Sequence, residues 1–221
     1  MDYKATGQKF PYKLFFLIYS GLTAFFVLIY FTSQWMDIDI EKFTADPITT
    51  FDSHPFVGMV SNLGVLLWCT AAAVCFFCYL VLKDKISGKS ASFLLWSGLL
   101  TSMLLFDDLF MFHDYLALWH LNLEQSTVYI VYLILALTWF IYFFDEIISN
   151  DFIIFMLAGF FLGLSVVGDF ILPQEGMSYM IEDAFKFFGI VTWTIFFIRA
   201  CLYRFNQLEI LPAKKSSNLT L

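Results

Sequence analysis

The sequence has little charge and few histidines, cysteines or prolines. Of its 221 residues, 14% are charged, and it contains three histidines, four cysteines and five prolines. About a quarter of the residues in a soluble domain are charged, so an ordinary soluble domain is excluded. The scarcity of basic residues also excludes the basic face that nucleic acids require. All four cysteines, including the CxxC pair Cys75 and Cys78, lie in apolar segments, and we interpret them as packing thiols rather than as a disulfide framework.

Apolar residues are correspondingly abundant. They make up 60% of the chain, which includes 29 phenylalanines and has a mean hydropathy of +0.77. Six apolar runs each approach the roughly 20 residues that a helix needs to cross a bilayer. The runs are residues 14–35, 56–82, 91–116, 127–144, 152–172 and 179–203. We therefore predict an all-α integral membrane protein, a six-transmembrane-helix bundle in which residues 1–221 form a single multi-pass domain surrounded by membrane lipids.

Basic residues fall on one side of these predicted spans. They are Lys4, Lys9, Lys13, Lys83, Lys85, Lys89, Arg199, Arg204, Lys214 and Lys215, whereas the loops of the other side hold only Lys42. Because Lys and Arg are enriched in cytoplasmic loops, we predict that both termini are cytoplasmic and that the protein lies in the cell (inner) membrane. The loop that holds Asp145, Glu146 and Asp151 is an acidic exception on the basic side.

Ionisable residues within the spans collect near the opposite, extracytoplasmic side. They are Asp107, Asp108, His113 and Asp114 in span three, Asp169 in span five, and Glu182, Asp183 and Lys186 in span six, with His54 and His120 flanking spans two and three. Charge inside a bilayer is costly, so such residues usually mark ligand, ion or proton sites. One lysine cannot neutralise so many acids, and the layer therefore needs a metal ion, shared protons or water.

A metal-dependent hydrolase that acts on a lipid or another amphiphile is the first functional hypothesis. Its candidate catalytic residues are Asp107, Asp108, Glu182, Asp183 and Lys186. Its candidate metal ligands are His54, Asp108, His113, Asp114, Asp169 and Asp183. Carboxylates with imidazole suit zinc, iron or manganese, and such a divalent ion would acidify a bound water. This layout resembles that of the ceramidase-type integral membrane hydrolases, which place a histidine and aspartate zinc site among helices, although their closely spaced histidine pair is absent here.

Two other classes remain open. In a proton- or cation-coupled transporter, channel or sensor, the buried acids would carry the ion, as in other intramembrane relays. In a structural or accessory subunit, the charges would pair internally and the apolar faces would contact lipid or another protein. A protein partner or an oligomer is compatible with all three hypotheses.

Helical spacing gives the expected geometry of the layer. Lys186 is within i,i+4 reach of Glu182 and within i,i+3 reach of Asp183, so we expect it to pair with one of them. Asp108 and His113 should project from different sides of span three. We therefore expect that the acids and the histidine of this span cannot all meet at one point.

Overall fold

The computed structural model describes residues 12–43, 51–54, 56–113, 123–171, 173 and 176–217. The chain forms two compact units, Met1–Val57 and Gly58–Leu221. The first unit contains helix α1 (Tyr12–Met36) and a short 3-10 helix (Ile40–Phe43). With 25 residues, α1 has the length of a membrane span.

The second unit, which we call the bundle, contains the other helices. They are α2 (Met59–Leu82), α3 (Gly88–Phe110), α4 (Gln125–Tyr142), α5 (Phe144–Ile148), α6 (Phe152–Ile171) and α7 (Gly176–Ser217). Among the described residues, five helices are long and apolar enough to cross a membrane, namely α2, α3, α4, α6 and the Gly176–Leu208 part of α7. The prediction of an all-α multi-pass membrane protein is therefore confirmed, and with α1 the number of long helices is consistent with the six predicted.

Helix α3 ends earlier than its apolar run predicts. The run continues to residue 116, but the helix stops at Phe110, where Met111 adopts a left-handed conformation with φ 49° and ψ 47°. The Met111 N–H still donates to the Asp107 carbonyl, which closes the last turn. The predicted end was wrong because left-handed residues at helix ends are usually glycine or asparagine, and a methionine within an apolar run gives no such signal.

Aromatic side chains form much of the bundle core. Helix α7 packs against α2 and α6, and α2 packs against α3. Trp139 of α4 stacks on Phe93 of α3, with the ring centroids 5.7 Å apart. The same indole lies 5.8 Å from Phe155 of α6 and 6.0 Å from Trp193 of α7. Because lipid tails are as apolar as these side chains, close van der Waals packing rather than the hydrophobic effect holds the helices together.

Ion pairs join the start of α3, the α5 region and the C-terminal part of α7. The pairs are Lys89–Asp145 at 2.8 Å, Arg199–Asp151 at 2.5 Å and Arg204–Glu146 at 2.7 Å. The acidic loop that is an exception on the predicted basic side therefore pairs each of its acids with a basic residue. The Arg199 guanidinium also holds the pKa of the Asp151 carboxyl below its ordinary value, chiefly by donating a hydrogen bond.

Arg204 differs from the other two cations because it is buried, with 3% of its surface exposed. Its guanidinium donates to Glu146 and to the Ala200 carbonyl, and it lies 4.9 Å from the centroid of the Phe93 ring. The second Glu146 carboxylate oxygen accepts a hydrogen bond from Ser90 at 2.9 Å. The sequence indicated that Arg204 lies beyond the last span, but α7 continues past it to Ser217, and the side chain turns into the bundle.

Candidate functional site

The carboxylate of Asp107 is buried at the C-terminal end of α3, with 6% of the residue exposed. Its Oδ2 lies 2.6 Å from Nδ1 of His113. Its Oδ1 accepts from the Tyr132 hydroxyl at 2.8 Å and from the His113 backbone N–H at 3.1 Å. Because each oxygen has a partner, the carboxylate is satisfied in its ionised form when His113 is protonated or donates from Nδ1.

The end of α3 explains how His113 reaches Asp107. On a continuous helix the two side chains would point in different directions, and the sequence therefore predicted that they diverge. The left-handed Met111 stops the helix and turns the chain, so that the backbone and the ring of His113 both face Asp107. The predicted divergence was wrong because it assumed a helix that continues past Phe110.

Asp108 points to other helices than its neighbour does. Its Oδ2 accepts from the indole Nε1 of Trp68 on α2 at 2.8 Å, and its Oδ1 lies 2.6 Å from Nζ of Lys186 on α7. Lys186 therefore binds a carboxylate of another helix, whereas its helical spacing suggested Glu182 or Asp183. The pair is partly enclosed, with 9% of the Asp108 side chain and 34% of the Lys186 side chain exposed.

A small cavity lies beside this ion pair. Its volume is about 20 Å³, and its lining includes Ser61, Gly64, Asp108, Asp183 and Lys186. A cavity of this size holds about one water molecule. Asp183 and the adjacent Glu182 are both half-buried, so α7 contributes two carboxylates and an ammonium group to the same level of the bundle.

Asp169 near the end of α6 is joined to the layer through α4. Its Oδ2 accepts from the Gln125 amide at 2.9 Å and from the Tyr129 hydroxyl at 3.0 Å. The Tyr129 ring packs on His113, with the centroids 5.0 Å apart. Sequence analysis did not predict Tyr129 and Tyr132 as part of the site, although their i,i+3 spacing places both hydroxyls on one side of α4.

Two predicted metal ligands lie elsewhere in the chain or outside the described residues. His54 is exposed, and its Nδ1 accepts from the Phe56 N–H at 3.3 Å, a contact within a turn. Asp114 lies outside the described residues. In the described part of the chain, no three His, Cys, Asp or Glu side chains are grouped as metal ligands would be. The divalent metal ion, whether zinc, iron or manganese, remains a prediction.

Together the helices and their polar contacts define a multi-pass helical membrane protein with a layer of paired carboxylates near one end of the bundle. Residues 19–200 match a family described as a domain of unknown function (DUF8692), and the chain belongs to that family. No curated protein and no solved structure matches the chain. The family description gives no activity, so the function has to be argued from the polar layer itself.

Proposed function

We propose that this protein is a proton-responsive membrane protein of the transporter, channel or sensor class. The buried contact between Asp107 and His113, at 2.6 Å, is the observation that carries the proposal. Histidine is the side chain that ordinarily gains or loses a proton between about pH 5 and pH 8. An adjacent carboxylate stabilises its protonated form, so that a proton taken up by His113 is held as a buried ion pair.

The charge balance of the layer supports proton uptake. When they are ionised, Asp107, Asp108, Asp169 and Asp183 outnumber the two cations, Lys186 and protonated His113. An unpaired buried charge is strongly destabilising, and intramembrane acids of this kind are typical of proton relays. Taking up further protons is the simplest way for such a layer to lower its charge.

Hydrogen bonds also connect the separate acids. Tyr132 donates to Asp107, and Tyr129 donates to Asp169 while its ring contacts His113. Groups that interact this closely titrate together rather than one by one. We therefore expect the layer to respond to pH as a unit, with Asp107 and His113 at its centre.

Proton uptake by the purified protein tests this proposal. During an acid jump from about pH 8 to pH 5, which spans the range in which imidazole titrates, the wild type should take up about one proton per chain more than an Asp107→Asn/His113→Gln double variant. A pH-indicator dye measures the difference, and a His54→Gln variant is the control, because that ring is exposed and outside the layer. Equal uptake by wild type and double variant would rule out the proposal. Proton flux in liposomes then distinguishes transport from sensing.

The metal-dependent hydrolase is the second candidate, favoured by one observation. Asp108 and Asp183 line the same small cavity, where an ion shared by the two carboxylates would also lower their charge. Elemental analysis of protein purified without a chelator or a histidine tag distinguishes the candidates. A transition metal bound one per chain in the wild type, and lost in Asp183→Ala or His113→Ala, would support the hydrolase.

We also propose that the polar layer faces the extracytoplasmic side, because Lys and Arg collect at the other end of the spans. A cysteine introduced at Ser87 should be protected from an impermeant thiol reagent in intact cells and labelled after permeabilisation. A cysteine at exposed Glu124, which precedes α4, should be labelled in intact cells. Labelling of the Ser87 position from outside would reverse the proposed orientation.

A further inference from the structure

Helix α4 is attached to the bundle less extensively than the other spans. It buries 11% of the residues in its apolar window, against 44% for α7. The attachment differs along its length. Near its C-terminal end, Trp139 is 7% exposed and packs within the aromatic core. Near its N-terminal end, Val128 is the only buried residue, and the remaining contacts there are polar.

Three hydrogen bonds hold this N-terminal half in place. Tyr132 donates to Asp107 of α3, and Gln125 and Tyr129 both donate to Asp169 of α6. The acceptors lie on two different helices, so α4 is tied on both sides. Hydrogen bonds to an ionised carboxylate are about twice as strong as those between neutral groups. A protonated carboxylic acid is a weaker acceptor and becomes a donor itself.

We propose that the first half of α4 is a movable wall of the bundle, held closed by these three hydrogen bonds and hinged at the Trp139 core. When Asp107 and Asp169 stop accepting the bonds, the wall moves away and exposes the polar layer. The inference rests on the proposed function for its trigger, protonation of the layer. The charged and titratable groups that face Asp107 are His113, Asp108 and Lys186, besides the hydroxyl of Tyr132.

The accessibility of Val128 reports the position of the wall, because only 4% of this residue is exposed. In a Val128→Cys parent, the rate of modification by N-ethylmaleimide at this site is followed by peptide mass spectrometry. Adding Tyr129→Phe and Tyr132→Phe keeps both rings and removes two hydrogen bonds. We expect modification to become about tenfold faster at neutral pH, since two net hydrogen bonds correspond to roughly that change in an equilibrium constant. Tyr142→Phe is the matched control on the same helix, where the side chain is 65% exposed.

A rate in the double variant equal to that of the parent would overturn the inference, whatever the effect of pH. Faster modification of buried Cys75 in parallel would also overturn it, because the change would then not be confined to α4. Acidifying the parent tests the trigger separately. If the double variant is modified faster but acid has no effect on the parent, the movable wall is supported and the proton-responsive function loses support.

Discussion

Lys186→Met is expected to lower the free energy of unfolding by about 3 kcal/mol, the lower end of the range for breaking a buried ion pair. The substitution leaves the Asp108 carboxylate with Trp68 as its remaining donor and no cation beside it. We take the lower end because a third of the Lys186 side chain is exposed. Unfolding of the purified protein by denaturant in mild detergent measures the change.

The pair can be separated from its members by a double variant. Asp108→Asn/Lys186→Met removes both charges, so it should recover most of the stability that Lys186→Met loses. Lys85→Met, in the exposed loop between α2 and α3, should change stability by no more than about 0.5 kcal/mol. If Lys186→Met were as mild as Lys85→Met, the ion pair would not contribute to the stability of the bundle.

Arg204→Met should have the second large effect, a loss of about 3–5 kcal/mol, because it leaves the enclosed Glu146 carboxylate without its cation. The Glu146 side chain is 15% exposed and the Arg204 side chain 4%. Arg199→Met is a matched control on the same helix. Its pair with Asp151 is much more exposed, at 54% and 39%, and should contribute less than about 1 kcal/mol. The same unfolding assay compares the two arginines, and equal losses would contradict the importance of burial.

The general fold could be predicted from sequence because a membrane span requires a long apolar run, and hydropathy shows such runs directly. The polar layer was also visible, since Asp107, Asp108 and Lys186 interrupt those runs. Its pairing was not predictable. Helical spacing assigns partners within one helix, whereas Lys186 binds Asp108 on another helix, and the choice depends on how α3 and α7 pack.

The neutral partners were missed for a related reason. Trp68 and Tyr132 lie within apolar spans, where aromatic residues are usually packing residues, and only the three-dimensional arrangement shows that they donate to Asp108 and Asp107. The contact of His113 with Asp107 depends on the left-handed Met111. Backbone conformation at one residue thus decides whether the carboxylate and imidazole meet, and the sequence does not encode it in a recognisable motif.

The protonation state of His113 is the most direct test of the central claim, that Asp107 and His113 form a buried proton-binding pair. Nitrogen-15 NMR of the histidine rings in the reconstituted protein can follow it between about pH 5 and pH 8, with His113→Gln identifying the signal. The account predicts that His113 becomes cationic within this range in the wild type, and that Asp107→Asn shifts the transition to lower pH. A ring that stays neutral throughout, or that titrates identically in Asp107→Asn, would contradict it.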